Sequence, residues 1–338
     1  FITSLSTSTI ITTISHHWLL AWLGLELNTL SMLPIIAKTK HPRATEATTK
    51  YFLVQATAAA IILFASTLNA WQTGQWFITT PNSTVATTMI TLALMLKLGL
   101  APLHFWYPEV LQGTTMNTAM IISTWQKIAP LTLLLLMINK LPTNTLLLVG
   151  LTSILIGGWA GMNQTQTRKI MAFSSIAHAG WLIIALTITP NLTTLTLLIY
   201  MTMTVTMFSC LSTTTTMTLK DLGTSWTQSP PIMMTTMVTL MSLGGLPPLT
   251  GFMPKWLILK ELTTTGLAPL CTTIALASLP SLFFYIRMCY LTLMTTPPNT
   301  TTTEYKWRLK PHYQKGLTPM ITLATLLLPI TPLLYNTT

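Results

Sequence analysis

Long apolar segments separated by short polar connections follow one another along almost the entire chain. They cover residues 1–15, 17–37, 51–71, 86–108, 117–138, 144–161, 170–189, 192–217, 231–259, 267–293 and 316–335. A helix needs about 20 mostly apolar residues to span a bilayer, and these runs lack the alternating pattern of barrel strands. The pattern predicts an all-α, polytopic membrane protein of about eleven transmembrane helices.

The amino-acid composition supports a membrane environment. Half of the 338 residues are hydrophobic and only 7% are charged, whereas soluble proteins carry about 25% charged residues. The longest connections, 38–50, 72–85 and 294–315, are too short for a globular domain, and no Gly-x-Gly-x-x-Gly or Walker-type loop is present. We therefore expect a single transmembrane domain over residues 1–338, with no nucleotide or flavin site.

The net charge of +11 comes from basic residues that are scattered along the chain and fall mainly in the connections. A nucleic-acid-binding protein would concentrate them on one face, so we expect no nucleic-acid partner. If the connections alternate between two sides of a membrane, one side receives Lys38, Lys40, Arg43, Lys50, Arg168, Lys169, Lys220, Lys306, Arg308, Lys310 and Lys315. The basic side faces the compartment of synthesis, so eleven spans place the N-terminus there and the C-terminus on the other side.

The sequence lacks the features of metal centres and of secreted proteins. Cys210, Cys271 and Cys289 each lie within an apolar segment and none belongs to a Cys-x-x-Cys pair, so we expect neither iron–sulfur nor zinc binding. The chain begins with Phe1, so we expect a few further residues before it in the gene product. No charged region precedes a short apolar stretch in the manner of a signal peptide.

Two apolar segments share an internal repeat that contains helix-breaking residues. Gly99-Leu-Ala-Pro-Leu-His-Phe-Trp-Tyr-Pro-Glu109 aligns without gaps with Gly245-Leu-Pro-Pro-Leu-Thr-Gly-Phe-Met-Pro-Lys255. Proline removes a backbone donor and clashes with the preceding turn, so both helices should break, near Pro102 and near Pro247 and Pro248. With eleven spans the two copies enter from opposite sides, which predicts an inverted repeat. Paired breaks of this kind indicate a transporter-type binding site.

Four ionisable side chains interrupt apolar segments, where charge is costly. They are Glu26, Lys97, Lys127 and Lys255. A charged group near the bilayer centre costs from about 3 to about 10 kcal/mol. Burial destabilises the cationic form of lysine and a neighbouring carboxylate stabilises it, so making and breaking a Glu26–Lys97 pair would load and release a proton. A purely structural ion pair is the alternative, and Lys127 or Lys255 could instead reach a headgroup.

Two histidines are further candidates for a proton relay. His104 follows Lys97 by seven residues, so both would share a face of an unbroken helix, and His178 lies in the middle of its segment. Histidine exchanges protons near neutral pH. A hydrogen bond to a neighbouring helix is an equally good explanation for either one.

Four motifs resemble those of one family of membrane proteins. They are Trp22-Leu-Gly-Leu-Glu26-Leu-Asn28, Lys97-Leu-Gly-Leu-Ala-Pro-Leu-His104-Phe-Trp106, Trp125-Gln-Lys127-Ile-Ala-Pro130 and Gly244-Gly-Leu-Pro-Pro-Leu-Thr-Gly-Phe-Met-Pro-Lys255. Together they resemble the antiporter-like subunits of respiratory complex I over essentially the whole chain. That family usually has fourteen helices, and the predicted eleven resemble a version without the first three.

The resemblance implies a proton-translocating module in the membrane arm of mitochondrial NADH:ubiquinone oxidoreductase, with the N-terminus on the matrix side of the inner membrane and the C-terminus on the intermembrane side. By motif, Glu26 takes the role of the carboxylate that pairs with a lysine on a broken helix, Lys97. Lys127 takes that of the central lysine, and Lys255 that of the exit lysine. His104 and His178 are further candidate members of the same pathway.

The resemblance also implies which groups lie outside this chain. We expect no cofactor here, and NAD, FMN, iron–sulfur clusters and ubiquinone on other subunits of the complex. The expected partners are neighbouring antiporter-like and other membrane-arm subunits, accessory subunits, and membrane lipids such as cardiolipin. Two alternatives stay open: a stand-alone cation/proton antiporter with the same broken helices, and a structural spacer that transmits conformational change without conducting protons.

Overall fold

Helices make up most of the structure. The computed structural model describes residues 1–79, 83–227, 229–293, 308 and 316–333. Their α-helices are α1 (Ile2–Ile14), α2 (Trp18–Ala37), α3 (Pro42–Thr73), α4 (Thr84–Leu98), α5 (Trp106–Gly113), α6 (Met116–Ser123), α7 (Ile128–Leu136), α8 (Thr143–Met162), α9 (Thr167–Ile188), α10 (Pro190–Thr214), α11 (Leu219–Thr224), α12 (Pro230–Gly244), α13 (Phe252–Thr264), α14 (Ala268–Ala277), α15 (Leu279–Leu293) and α16 (Leu317–Leu326). These residues contain no strand, only the isolated bridges His17–Phe77 and Gln166–Thr218. The predicted all-α class is confirmed.

Many of these helices have the length and hydropathy of membrane spans. In the described part of the chain, seven segments are long and apolar enough to cross a membrane: α2, α3, α6 with α7, α8, α9, α10, and α14 with α15. Helices α1, α4 and α16 are apolar but shorter. Each of the eleven predicted segments contains at least one helix, which confirms the polytopic membrane architecture. The number of eleven complete spans is not confirmed, because α1 and α16 are short and the segments of α4 with α5 and of α12 with α13 are divided into helices too short to span.

The first of two compact units comprises Phe1–Thr152. Within it, α3 packs against α2, α4 and α5, and α1 packs against α2. Gly24 allows the close approach of α1 and α2, because a Cβ at this position would lie 3.2 Å from the carbonyl oxygen of Ser8. Helix α3 therefore holds together the helix that carries Glu26 and the helix that carries Lys97.

The second unit comprises Ser153–Thr338. Here α10 packs against α9, α12, α13 and α16. A Cβ at Gly157 would lie 2.8 Å from the backbone nitrogen of Ala177 on α9, so the absence of a side chain lets α8 pack closely against α9. Helix α10 lies beside both halves of a broken helix, as α3 does in the first unit. That these units act as a single domain stays a prediction.

Both copies of the sequence repeat interrupt a helix, as predicted from the prolines. The first break covers residues 99–105, between α4 and α5, and contains Pro102. The second break covers residues 245–251, between α12 and α13, and contains Pro247 and Pro248. The two breaks have the same length and occupy the same register of the alignment. That the copies enter the membrane from opposite sides stays a prediction.

The two breaks also begin with the same backbone geometry. Gly99 follows α4 with φ of +72°, and Gly245 follows α12 with φ of +83°. This left-handed conformation favours glycine because a Cβ would be strained there. In each break the N–H groups of the glycine and of the next residue donate to carbonyl groups in the last turn of the helix. Both helices thus end in a Schellman motif.

A second span in each unit is interrupted, which the sequence analysis did not predict. In the first unit a 3₁₀ turn, Trp125–Lys127, separates α6 from α7. In the second unit Ser278 separates α14 from α15. Pro130 and Pro280 follow these points, and a proline cannot bond to the carbonyl group four residues earlier. The loss of that bond explains why both spans are irregular.

Candidate functional site

A small polar cavity lies inside the first unit, and we call it the Lys97 cavity. Its volume is about 10 Å³, which is roughly the room that one water molecule requires. Lys97 and Lys127 both line it. The other polar side chains of the lining include Asn28, Thr29, Tyr51, Gln55, Tyr107 and Gln126. The structure therefore brings two of the predicted lysines into one space.

Lys97 belongs to the last turn of α4 and is buried, with 7% of its surface exposed. Its ammonium nitrogen has no hydrogen-bond partner among the described residues, and the same holds for the buried Oε2 of Glu26. The two groups interact electrostatically. They do not form a direct ion pair, because the Lys97 ammonium has no hydrogen-bond partner within the described residues.

The Glu26–Lys97 pairing implied by the family resemblance therefore stays a prediction. The carboxylate and the ammonium are electrostatic neighbours on α2 and α4, but they are not in contact. Helix α3 contacts both α2 and α4. Among the described residues, the Lys97 ammonium nitrogen and the Glu26 Oε2 each remain without a hydrogen bond.

Lys127 is the most deeply buried of the four predicted charged residues, with 2% of its surface exposed. It ends the 3₁₀ turn between α6 and α7. Its Nζ lies 5.7 Å from the centre of the Tyr107 ring, a distance at which the face of the ring attracts a cation. The interruption of this span thus gives Lys127 an aromatic neighbour on α5, and Lys127 does not reach a headgroup.

Three polar residues of the Lys97 cavity were missed by the sequence analysis. The side-chain amide of Gln126 donates to Asn28 Oδ1 at 3.0 Å, and the Tyr51 hydroxyl donates to Gln126 Oε1 at 3.5 Å. The sequence could have indicated Asn28 and Gln126 as site residues, because Asn28 follows Glu26 by two residues and Gln126 directly precedes Lys127. An uncharged amide within an apolar segment needs a partner as much as a charged group does.

His104 lies in the first break and is buried. Its Nδ1 is 3.3 Å from the carbonyl oxygen of Pro102. Because the helix ends at Leu98, the shared helical face expected for Lys97 and His104 does not exist. His104 is also not part of the lining of the Lys97 cavity.

The second unit contains a comparable cavity, which we call the Lys255 cavity. Its volume is about 20 Å³, and Lys255, His178, Thr196 and Tyr200 contribute polar groups to its lining. Lys255 lies in the first turn of α13 and is partly buried. Its Nζ donates a 2.8 Å hydrogen bond to the carbonyl oxygen of Gly244 at the end of α12. The lysine therefore bridges the second break.

His178 lies in the middle of α9 and faces the Lys255 cavity. Its Nε2 is 3.5 Å from the Tyr285 hydroxyl, and its ring packs against that of Tyr200. Among the residues that the structure describes, no group of three His, Cys, Asp or Glu side chains is arranged to hold a metal ion. The lysine amines of the two cavities and the His178 imidazole are groups that can take up and release protons.

Comparisons with known proteins place the chain among respiratory membrane proteins. Residues 15–284 match the family described as NADH:quinone oxidoreductase/Mrp antiporter, transmembrane. Residues 282–335 match the C-terminus of NADH dehydrogenase subunit 2. The chain is 53% identical to NADH-ubiquinone oxidoreductase chain 2 of Carassius auratus, with 100% of this chain and 97% of the relative covered. It is 51% identical to the protein of the same name from Gallus gallus, covering 98% and 96%.

Solved structures show the same fold. A chain of respiratory complex I from Thermus thermophilus superposes with a TM-score of 0.84 at 26% identity, covering 97% of this chain and 78% of that chain. A chain of the Mrp complex from Dietzia superposes with a TM-score of 0.83 at 16% identity, covering 98% and 75%. The second likeness concerns the fold alone. The antiporter-like architecture expected from the motifs is confirmed.

Proposed function

We propose that this chain, which belongs to the NADH:quinone oxidoreductase/Mrp antiporter transmembrane family, is a core membrane-arm subunit of mitochondrial NADH:ubiquinone oxidoreductase that translocates protons. The observation that carries the proposal is the Lys97 cavity, where two buried lysines share one small polar space. Relatives named as chain 2 of this oxidoreductase match the chain over nearly its full length. That match supports the corresponding place in the complex.

The two lysines of the cavity influence each other's charge. Placing a lysine within apolar helices costs about 3 kcal/mol or more. Two ammonium groups in one cavity repel each other, so the protonation of Lys97 depends on that of Lys127. A pair of amines that resists double protonation can pass a proton from one to the other. This coupling supports a relay more than a structural spacer.

Glu26 supplies the charge that drives the relay in this proposal. While its carboxylate is near Lys97, it stabilises the cationic lysine. When the carboxylate moves away, burial favours the neutral amine and Lys97 releases its proton to Lys127. Onward transfer to Lys255, with His178 beside it in the Lys255 cavity, follows the role that the family resemblance gives to the exit lysine. We assign no step to His104.

The remaining parts of the reaction lie on other chains in this proposal. NADH oxidation and ubiquinone reduction, with NAD, FMN and iron–sulfur clusters, take place on other subunits of the complex. The partners are neighbouring antiporter-like subunits, accessory subunits, and lipids such as cardiolipin. The location is the inner mitochondrial membrane, with the N-terminus on the matrix side, because most connecting lysines and arginines fall on that side of an eleven-span chain.

A stand-alone antiporter is the weaker candidate. The likeness to an Mrp complex concerns the fold at 16% identity, whereas the relatives at about 50% identity all carry the name of a complex I subunit. Ion-flux assays on the isolated chain in liposomes separate the two. Cation-coupled proton flux without the other subunits would favour the antiporter.

Replacing Lys97 by Met tests the proposed function. The side chain keeps its size but loses the amine, so we expect proton translocation through this chain to stop while the complex still assembles. The measurement is the number of protons moved per NADH oxidised by the complex in proteoliposomes. Lys38→Met, at an exposed lysine after α2, is the matched control and should leave the ratio unchanged. A normal ratio in Lys97→Met would end the proposal.

A further inference from the structure

Two amide side chains meet in the Lys97 cavity and have no part in the charge relay described above. Gln126 Nε2 donates to Asn28 Oδ1 at 3.0 Å. Asn28 lies on α2, two residues after Glu26, and Gln126 lies in the 3₁₀ turn directly before Lys127. A single hydrogen bond therefore joins the helix that carries the carboxylate to the turn that carries the central lysine.

The surroundings make this hydrogen bond hard to replace. Asn28 is 3% exposed and Tyr51, which donates to the other end of the Gln126 amide, is 1% exposed. A buried polar group that loses its partner pays the full cost of its desolvation. Each amide consequently holds the other in place, and Tyr51 attaches the same group to α3.

The position of Gln126 matters because the span is irregular there. The turn Trp125–Lys127 lies between α6 and α7, and Pro130 leaves the Gln126 carbonyl group without its helical donor. The helical bonds are therefore incomplete next to Lys127, whose own N–H donates to the Thr124 carbonyl group in the tighter 3₁₀ pattern. The contact of Gln126 with Asn28 adds a tertiary bond that ties this turn to α2.

The amide side chains of Asn28 and Gln126 can hold Lys127 in position but cannot transfer protons themselves. Amide side chains donate and accept hydrogen bonds, but they carry no titratable proton. A link made of two amides transmits a displacement of α2 to Lys127 without conducting a proton between Glu26 and Lys127. Proton exchange in the cavity is then left to the lysines.

We infer that Asn28 and Gln126 are a positioning pair for Lys127: their hydrogen bond ties the 3₁₀ turn to the Glu26 helix and keeps Lys127 in one cavity with Lys97. The consequence for translocation rests on the proposed function. If the bond is lost, Lys127 is no longer held towards Lys97, and transfer between the two lysines slows.

A double-mutant cycle tests the pair in the assembled complex. We expect Asn28→Ala and Gln126→Ala each to lower the number of protons moved per NADH oxidised. The double variant should lose no more than the worse single variant, because both remove the same bond. The exchange Asn28→Gln with Gln126→Asn keeps the total length of the two amides and should recover part of the loss.

A second readout distinguishes positioning from general destabilisation. Gln126→Glu places a titratable carboxyl group directly before Lys127, so the proton ratio should become dependent on pH. Asn69→Ala is the matched control, because Asn69 is a fully buried amide of α3 outside the cavity lining. It should lower thermal stability without changing the ratio.

The outcomes separate this inference from the proposed function. Additive losses in the cycle, or an unchanged ratio in both single variants while Lys97→Met stops translocation, would overturn the positioning pair alone. A normal ratio in Lys97→Met would overturn the proposed function instead. If the alanine variants fail to assemble, Gln126→Met serves instead, because it keeps the length of the side chain without the amide. A lowered number of protons per NADH in Gln126→Met would support the positioning pair, and an unchanged number would overturn it.

Discussion

The first and second breaks share a backbone geometry but differ in how tightly their residues are packed and in how each lysine is held. At aligned positions, Phe105 in the first break is 74% exposed, whereas Gly251 in the second is packed so tightly that a Cβ would overlap the Ser242 carbonyl group. Lys97 precedes its break and its ammonium has no hydrogen-bond partner in the described residues. Lys255 follows its break and bonds to Gly244. One repeat thus supports two different ways of holding a lysine.

This difference shows what a duplicated helix break can and cannot dictate. The glycine and prolines fix where each helix stops and resumes, and both copies obey them. The residues that fill each break decide whether it is rigid. Among the residues that the structure describes, Lys97 at the first break has no hydrogen-bond partner and lies near a carboxylate, whereas Lys255 at the second break bonds to the backbone.

The largest effect should come from the packing of Gly251. In Gly251→Ala the new methyl group meets backbone atoms of α12, and overpacking of this kind costs about 3 kcal/mol. We expect little assembled complex on a blue-native gel. Phe105→Ala, at the aligned position of the first break, should assemble normally because its side chain is exposed. Normal assembly of Gly251→Ala would show that the second break is not tightly packed at this position.

An intermediate effect should distinguish the two lysines by stability. Lys255→Met loses a charge-assisted hydrogen bond worth about 1.5–3 kcal/mol, so the complex should inactivate at a lower temperature. Lys97→Met removes a buried ammonium that has no such bond, so its inactivation temperature should stay the same or rise. Thermal inactivation of NADH:ubiquinone activity measures both. A larger drop in inactivation temperature for Lys97→Met than for Lys255→Met would contradict the view that only Lys255 is held by a hydrogen bond.

The smallest effect should separate the two histidines. His178 lines the Lys255 cavity, whereas His104 faces the carbonyl group of its own loop. His178→Gln keeps a hydrogen-bonding side chain but cannot exchange protons, so the number of protons moved per NADH should fall modestly. His104→Gln should leave it unchanged. A loss confined to His104→Gln would place the relay in the first break and not beside Lys255.

Much of the helical architecture could be predicted from the sequence because its causes are local. Apolar segment length gave the helices, and Pro102, Pro247 and Pro248 gave the two breaks. The irregular turn at Lys127 was missed because Pro130 resembles the prolines that membrane helices commonly tolerate. Its effect depends on whether neighbouring groups satisfy the freed carbonyl group.

The candidate site was only partly predictable for a different reason. Burial of Lys97 and Lys127 follows from their apolar flanks, but the cavity that joins them depends on how α2, α3 and α5 pack. The contact of Asn28 with Gln126 spans 98 residues of sequence, and no local pattern encodes it. The missing contact between Glu26 and Lys97 is likewise a matter of tertiary distance.

The hydrogen bond from Lys255 to Gly244 places the ammonium at the negative pole of a helix dipole. The carbonyl groups at the end of α12 carry a partial negative charge that attracts a cation. That attraction acts only while the first turn of α13 stays close to the end of α12. A small tilt of one short helix against the other is therefore enough to switch on or off the electrostatic hold on the lysine's charge.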